Sequence, residues 1–298
     1  MSKGLSNSVS PPPFKPVNGI TVPGVVTQEQ VDRIHSLPLR PDDVWIVTYP
    51  KAGTTWTQNI VRLIFNNGID DGKKLNEAVP WIEALNTNEH FFYQLPIPID
   101  EMPSPRAFKS HFLYHNMPCG VPSSTPCKYI YVARNPKDVA VSYFHHYIGF
   151  KYTPAGGPSW EEFFRWFING DMAFGDFFDH VLSWWTHKDD KNVLFLKYED
   201  MKENLPATVT QIAEFIGHSI EQSVIDKIAD QTTFEKMRVN PGTNYGWATH
   251  RRDPTAPSFM RKGVVGDWTN YFTPEQSAQM DEKIALRTAG SGLEFKYS

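Results

Sequence analysis

Apolar and polar positions follow two different periods along the chain. Short runs rich in apolar and β-branched residues predict strands at 44–49, 106–110, 128–133 and 192–198. Stretches with apolar residues every three to four positions predict helices at 27–37, 54–65, 207–217, 220–229 and 274–287. A further helix is predicted to start at Asn135 and Pro136, and two aromatic-rich helices are predicted within 159–188. Strands that alternate with helices predict an α/β fold with a central, mostly parallel sheet, whose ligands bind at the carboxyl ends of the strands.

The same pattern predicts the domain organisation. Residues 1–18 are rich in serine and proline and are predicted to be mobile. No repeat and no linker follows, so residues 19–298 are predicted to form a single domain. The stretch 238–258 is long and polar, with a single tryptophan, which is typical of a lid over a ligand site.

Composition limits the classes of partner. Of the 298 residues 40% are hydrophobic and 14% aromatic, which is enough for a packed core and an apolar ligand pocket. The net charge of −4 gives no overall basic excess for nucleic acid or an anionic membrane, so an anion must meet a local cluster of cations. Cys119 and Cys127 form neither a disulfide framework nor a metal-ligand spacing. With no secretory signal and no run of roughly 18 apolar residues, these features predict a cytoplasmic protein that does not enter membranes.

A segment between the first predicted strand and its helix has the features of a phosphate-binding loop. It runs Tyr49-Pro50-Lys51-Ala52-Gly53-Thr54-Thr55-Trp56. Amides at a helix start favour an anion, the glycine permits close backbone approach, and the lysine adds a positive charge. Walker A spacing is absent, because the lysine precedes the glycine. A generic strand–turn–helix connection looks similar, so this segment alone leaves both interpretations open.

Two more cationic segments accompany this loop. Arg134 directly follows the predicted strand at 128–133, and Ser142 lies nearly two turns into the next helix. An arginine and a serine that converge on one phosphate recognise it well, although an isolated arginine more often pairs with a surface carboxylate. The segment 259–263 adds two adjacent cations and a glycine, which beside the other two loops favours a phosphate clamp over a solvated charge pair.

A histidine in an aromatic neighbourhood is a candidate general base. It is His111 in the run Lys109-Ser110-His111-Phe112, directly after the predicted strand at 106–110. Most of the ten histidines must be structural or solvated, so position alone is a weak signal. His145 and His146 are adjacent and do not share a helix face, and no H-E-x-x-H motif or carboxylate cluster accompanies them. The sequence therefore predicts no metal site.

Together these segments resemble the cytosolic sulfotransferase family in order and spacing, from about residue 40 to 268. The resemblance implies a three-layer, P-loop-NTPase-like fold and sulfuryl transfer from 3′-phosphoadenosine 5′-phosphosulfate (PAPS), leaving 3′,5′-bisphosphoadenosine (PAP). It implies catalytic roles for His111, Lys51 and Lys109. The donor-binding positions that it implies are Lys51, Ala52, Gly53, Thr54, Thr55, Trp56, Arg134, Ser142, Tyr198, Thr232, Thr233, Phe234, Met237, Phe259, Met260, Arg261, Lys262 and Gly263.

The acceptor implied by the resemblance is a small, aromatic or apolar molecule with a hydroxyl or an amine. Pocket candidates, by family position or proximity to the motifs, are Trp81, Phe144, His146, Tyr147, Phe150 and Trp247, and ordinary core packing explains them equally well. Two departures from the family pattern stand out. The proline expected after the histidine is missing, and Pro274 replaces a valine in the stretch 269–277, where many animal members carry a dimer motif. A homodimer stays possible, but that motif does not predict it.

The mechanism implied is an in-line displacement at sulfur. His111 would take the proton of the acceptor, Lys51 would stabilise the bridging oxygen, and Trp56 with Phe234 would sandwich the adenine. Three alternatives stay open. A P-loop kinase would need Walker A spacing and a magnesium-binding acid; the others are a non-catalytic binder of adenosine bisphosphate and a membrane-anchored, lumenal sulfotransferase.

Overall fold

The structure is a computed structural model and describes residues 14–24, 26–85, 97–118, 122–149, 157–248, 255 and 258–298. Cys119, Phe150 and most of the predicted lid beyond residue 248 lie outside these ranges. The strands are β1 (Phe14–Val17), β2 (Ile20–Pro23), β3 (Val44–Thr48), β4 (Ala107–Ser110), β5 (Lys128–Ala133) and β6 (Val193–Lys197). The helices are α1 (Gln28–His35), α2 (Thr54–Phe65), α3 (Leu75–Ala78), α4 (Pro136–Ile148), α5 (Trp160–Asn169), α6 (Phe177–Trp185), α7 (Tyr198–Glu203), α8 (Leu205–Ile216), α9 (Gln222–Gln231), α10 (Phe234–Val239) and α11 (Pro274–Thr288).

Four of the strands form a parallel sheet in the order β4–β3–β5–β6. β3 lies in the middle, where Val44 pairs with Ala107 of β4 and with Lys128 of β5. Since all four strands run the same way, their carboxyl ends share one edge, and the loops that leave this edge meet there. The predicted α/β class with a parallel sheet is confirmed.

Two apolar cores cover the two faces of this sheet. Successive side chains of a strand point to opposite faces, so Trp45 and Tyr131 enter one core while Ile46 and Ile130 enter the other. The first core contains residues of α4, α5, α6 and the N-terminal strands, and the second contains residues of α2, α8 and α9. The result is a three-layer arrangement, helices–sheet–helices, in which the strands are buried on both faces.

The residues at the helix starts explain where α2 and α4, the two helices beside the site, begin. α2 begins after Gly53, whose φ of 121° lies outside the range that other residues adopt readily. α4 begins with Pro136 at its first position, and the side chain of Asn135 accepts a hydrogen bond from the Asp138 amide. Both helix starts follow directly on strand ends, so both direct their free amides toward the carboxyl edge of the sheet.

The N-terminal boundary differs from the prediction. β1 and β2 form an antiparallel hairpin, so residues 14–18 belong to regular structure. Asn18 and Gly19 make its turn with φ of 49° and 75°, the conformation that an Asn-Gly pair favours. Val17 is buried in the core, and this burial anchors the hairpin. Residues 1–13 lie outside the described ranges.

The stretch 269–277 has a local explanation for its unusual sequence. Pro274 is the first residue of α11, where the missing amide of proline costs nothing. Thr273 and Gln276 form a capping box around it. The proline that departs from the dimer motif therefore starts a helix. Among the described helices, none combines the length and the apolar character that a membrane span requires.

Candidate active site

The loop between β3 and α2 forms an anion cradle. Across the described residues no side chain caps the start of α2, and the amides of Thr54 and Thr55 have no backbone acceptor. A Cβ at Gly53 would lie 3.1 Å from the Tyr198 ring, so a larger residue would press on the neighbouring wall. Lys51 has a left-handed φ of 73°, which only a tight turn enforces on lysine. The amides and the lysine together suit a phosphate group.

Arg134 brings a second cation to the same edge. Its exposed fraction is 9%, and its guanidinium carbon lies 4.3 Å from the centroid of the Tyr198 ring. One terminal nitrogen donates to the Val264 carbonyl at 2.9 Å and lies 3.3 Å from an oxygen of Asp138. Stacking and a single carboxylate hold the guanidinium in one orientation, which leaves several N–H donors for a ligand.

Arg261 and Lys262 bring the third group of cations. Both side chains donate to the carboxylate of Asp267, and the Lys262 bond measures 2.6 Å. Burial alone would raise the pKa of Asp267, yet the hydrogen bonds from Lys262, Arg261 and Asn270 hold that pKa below its ordinary value. A Cβ at Gly263 would lie 2.8 Å from Cγ of Phe234, so only glycine lets this loop pack against that ring. The carboxylate thus fixes two cations beside the cavity.

His111 lies directly beyond the carboxyl end of β4, with an exposed fraction of 5%. Its Nδ1 lies 2.8 Å from the carbonyl oxygen of Thr48. Because a carbonyl only accepts, Nδ1 carries the proton and Nε2 keeps its lone pair. Burial lowers the pKa of His111 well below its ordinary value, and the charge of Lys109 lowers it further. The ring is therefore a neutral imidazole at neutral pH, ready to accept a proton.

Lys109 is the neighbouring cation on β4. Its Nζ lies 4.3 Å from the centroid of the Trp81 ring. The backbones of Trp81 and Lys109 form a β-bridge at the edge of the sheet, which holds Trp81 in place. Burial lowers the pKa of Lys109 to about 8, although the Glu83 carboxylate opposes this shift. An ammonium with such a pKa loses its charge more readily than an exposed lysine does.

One cavity of about 620 Å³ connects all of these groups. Lys51, Arg134 and Arg261 line it from three separate loops, and His111 lines it from a fourth. The aromatic side chains of its wall are Phe14, Trp56, Trp81, Tyr143, Tyr147, Phe174, Tyr198, Phe234, Tyr245, Trp247 and Phe259. A cationic region thus joins an aromatic region, and His111 lies within the same wall. Across the described ranges no group of three or more metal-ligating side chains accompanies it.

Comparison with known proteins gives the family. The family model described as a sulfotransferase domain matches residues 41–292. Sulfotransferase 1B1 from dog is 40% identical over 282 residues, covering 90% of each chain, and human sulfotransferase 1C2 is 40% identical over 280 residues with the same coverage. The chain belongs to the sulfotransferase family. The resemblance inferred from four short motifs is thereby confirmed, and a kinase gains no support.

Solved structures agree with this membership. Mouse sulfotransferase SULT7A1 complexed with PAP is 32% identical, has a TM-score of 0.74, and the match covers 93% of this chain and 95% of that one. Retinol dehydratase in a complex with retinol and PAP is 26% identical with a TM-score of 0.81, and the match covers 94% and 90% of the two chains. The predicted P-loop-like sulfotransferase fold is therefore confirmed.

Most of the predicted site residues of this sulfotransferase lie around the one cavity. The predicted donor residues that line it are Lys51, Gly53, Thr54, Thr55, Trp56, Arg134, Ser142, Tyr198, Thr232, Phe234, Met237, Phe259, Met260, Arg261, Lys262 and Gly263. His111, Lys109 and the predicted pocket residues Trp81, His146, Tyr147 and Trp247 line it as well. Segments that are far apart in sequence thus meet at the carboxyl edge of the sheet.

Three predicted residues lie elsewhere. Ala52 is buried in the turn, where its amide donates to the Tyr49 carbonyl. Thr233 caps α10, and its hydroxyl donates to the Asp230 carbonyl at 3.0 Å. Phe144 packs against Trp160 and Phe163 on the far side of α4, because one residue along a helix turns the side chain by about 100°. Its neighbour Tyr143 takes the place in the cavity wall.

Several cavity residues escaped the sequence analysis. Phe14 and Pro23 reach the cavity from the N-terminal hairpin, for which the Asn-Gly turn was an available signal. Phe174 has a left-handed φ of 66° and lies with its ring 5.2 Å from that of His111. Asp267 lines the cavity and forms ion pairs with Arg261 and Lys262. No local pattern in the sequence singles out Phe174 or Asp267, since tertiary packing alone brings them to the site.

Proposed function

We propose that this sulfotransferase binds PAPS across its three cationic loops and transfers the sulfuryl group to a small acceptor in the aromatic half of the cavity. The observation that carries the proposal is the convergence of Lys51, Arg134 and Arg261 on one cavity that also exposes a neutral His111. The PAP complexes of mouse SULT7A1 and of retinol dehydratase support the choice of an adenosine bisphosphate as ligand. In this proposal residues 14–298, which include the N-terminal hairpin, act as one catalytic domain.

The donor roles follow from the geometry of the loops. The uncapped start of α2 suits the 5′-phosphate, where the helix dipole and the amides of Thr54 and Thr55 favour negative charge. Arg134, Ser142 and the Arg261–Gly263 segment suit the 3′-phosphate, because a fork of N–H donors matches phosphate oxygens. Trp56 and Phe234 both line the cavity and are assigned to flank the adenine. Gly53 and Gly263 fit the role, since a side chain at either position would crowd the cradle.

The chemistry assigned to the chain consists of one proton transfer and charge stabilisation. Nε2 of His111 accepts the proton of the acceptor hydroxyl while the hydroxyl oxygen attacks sulfur, and the bond between sulfur and the bridging oxygen breaks to leave PAP. Lys51 stabilises the negative charge that develops on the oxygen between sulfur and the 5′-phosphate, and Lys109 offsets charge on the transferring group. Binding both substrates in one cavity supplies the alignment that an in-line displacement needs.

The acceptor is proposed to be a small aromatic or apolar molecule with a hydroxyl or an amine. Trp81 and Phe174 offer aromatic surface beside His111, and Tyr147 and Phe14 line the same cavity. His146 adds a polar ring, 6.0 Å from Phe259 between ring centroids. A panel of phenols, alcohols, steroids and amines, assayed with PAPS in the presence of EDTA, tests the proposal. Sulfated product without magnesium supports it, while phosphate transfer from ATP that requires magnesium supports a kinase instead.

A cytoplasmic location forms part of the same proposal. The sequence contains two cysteines, which suits a reducing compartment. Cell fractionation followed by the sulfuryl-transfer assay measures where the activity resides.

The pH dependence of kcat/KM is expected to show a decline above about pH 8. Burial lowers the pKa of Lys109 to about 8, so its positive charge is present below that pH and is lost as the pH rises through it. The free enzyme determines kcat/KM, so this loss appears in that parameter. A benzylic alcohol is the suitable acceptor, because its hydroxyl does not ionise in this range. Lys109→Arg keeps its charge and should move the decline to higher pH, whereas an unchanged decline would remove Lys109 from the assignment.

A further inference from the structure

A cluster of buried polar side chains supports His111 from below the cavity. It consists of Glu83, Ser110, Tyr131 and His180, together called the support cluster. Glu83 has an exposed fraction of 0% and does not line the cavity. The sulfuryl-transfer chemistry described above uses none of these four side chains, yet burying a carboxylate costs free energy that an apolar residue would not.

Glu83 holds the backbone of His111 from one side. Its Oε1 accepts the amide of His111 at 2.6 Å and the hydroxyl of Ser110 at 2.8 Å. Burial raises the pKa of Glu83 to about 7, and these hydrogen bonds together with the charge of Lys109 oppose the rise. Charged or protonated, the side chain keeps a carbonyl-type oxygen, so it accepts these two bonds in either form.

His180 holds the same residue from the other side. Its Nε2 lies 2.9 Å from the carbonyl oxygen of His111, and its Nδ1 lies 2.9 Å from the hydroxyl of Tyr131. Because the carbonyl only accepts, Nε2 of His180 carries the proton and Nδ1 accepts from Tyr131. Burial lowers the pKa of His180 to about 4, so the ring stays neutral and keeps this tautomer at neutral pH.

These contacts account for three of the four polar atoms of His111. Glu83 accepts from the amide of His111, His180 donates to its carbonyl oxygen, and the Thr48 carbonyl accepts from its Nδ1. Within the described ranges, Nε2 is the one polar atom of His111 that no protein hydrogen bond engages. The ring contacts with Trp81 and Phe174, at centroid distances of 5.5 and 5.2 Å, restrict its rotation.

We propose that Glu83 and His180 are positioning residues that fix the backbone of His111, so that its Nε2 meets the acceptor hydroxyl in the cavity. The inference rests on the proposed role of His111 as the base. A base that is displaced by about 1 Å loses roughly 100-fold in rate, because proton transfer and attack need alignment. In the described ranges the hydrogen bonds of Glu83 go to Ser110 and His111 and to none of the three cationic loops, so its loss should lower kcat and leave donor binding unaffected. The ring of His180 also packs against Tyr49 of the first loop, with 5.4 Å between ring centroids, so Glu83 is the residue to test.

Three variants test the role of Glu83, with PAPS and 2-naphthol as substrates. Glu83→Leu removes the acceptor oxygen and should lower kcat roughly 30- to 100-fold, with the Kd of PAP within about 2-fold of wild type. Glu83→Gln keeps an oxygen for both hydrogen bonds and should retain kcat within about 5-fold. Ser110→Ala, the matched control, leaves the bond to the His111 amide and should change kcat by less than about 3-fold.

Other outcomes overturn the proposal. If Glu83→Leu keeps kcat within about 3-fold, or weakens PAP binding as much as it lowers kcat, the residue does not position His111. If Glu83→Gln falls as far as Glu83→Leu, the hydrogen bonds are not what matters. If Ser110→Ala loses as much as Glu83→Leu, the bond from Glu83 to the His111 amide does not set kcat, and the proposal fails.

A spectroscopic measurement on the wild-type protein needs no acceptor. Long-range ¹H–¹⁵N spectra of histidine-labelled enzyme at pH 7 should show His111 as the neutral Nδ1–H tautomer and His180 as the neutral Nε2–H tautomer. His111→Ala identifies the first set of signals. A mixed or opposite tautomer for either ring overturns the geometry. Failure of the wild type to sulfate any acceptor, with these tautomers observed, would instead overturn the proposed function.

Discussion

Replacement of His111 by alanine is expected to lower kcat by roughly 10²–10⁴-fold, the usual contribution of a positioned general base. The imidazole is neutral because burial lowers its pKa, and its Nδ1 proton is fixed by the Thr48 carbonyl. Alanine removes Nε2 and leaves the donor loops in place, so the affinity for PAP should stay within about 2-fold. Single-turnover rates of sulfuryl transfer, with PAP binding by calorimetry, measure both quantities.

A matched control separates chemistry from folding for this variant. His218 is partly buried beside Phe65, with 5.1 Å between ring centroids, and does not line the cavity. His218→Ala should leave kcat and KM near wild type. Near-wild-type turnover by His111→Ala would remove His111 from the mechanism, whatever its place in the cavity.

Replacement of Lys51 by methionine should have the second largest effect. Removing one donor that stabilises charge in the transition state costs roughly 10²–10³-fold in kcat. The lysine lies in the left-handed turn before α2, with Nζ 4.4 Å from the centroid of the Phe259 ring. Methionine is unbranched like lysine, keeps most of the side-chain length and has no charge, so the turn should persist. Rapid-quench measurement of the transfer step, with PAPS saturating, reports the loss.

Two companion variants make the Lys51 result decisive. Lys51→Arg retains the charge at a similar distance and should recover a large part of kcat. Lys227→Met makes the same chemical change at an exposed position of α9 and should leave the rate unaffected. If Lys51→Met alters only KM for the donor and leaves kcat intact, the lysine binds substrate without stabilising the transition state.

The sequence predicted the elements whose signals are local. The run 54–65 matches α2 at both ends, and 128–133 matches β5, because a buried strand, a turn and an amphipathic helix follow one another there. The helices α7 and α10 have six residues each, too few to show a period. The hairpin of β1 and β2 was missed because its serine- and proline-rich flank hid the Asn18–Gly19 turn.

The candidate site was predictable wherever a motif fixes both the residue type and its position at a strand end. Arg134 and His111 directly follow β5 and β4, Lys51 lies in the turn after β3, and parallel strands bring those positions to one edge. Side-chain direction on a helix is different, since Tyr143 or Phe144 faces the cavity according to how α4 packs on the sheet. Buried partners such as Glu83 depend on contacts between segments that the sequence does not place side by side.

Comparison of two ligands, PAP and adenosine 5′-phosphate, tests the central claim most directly. They differ in the 3′-phosphate, which Arg134 and the Arg261–Gly263 segment are proposed to bind. Calorimetry should give PAP an affinity at least about 100-fold higher, because charge-assisted hydrogen bonds contribute about 1.5–3 kcal/mol each. Arg134→Ala should remove much of this difference. Equal affinities of the wild type for both ligands would contradict the account, because the three cationic loops would then not converge on a doubly phosphorylated adenosine.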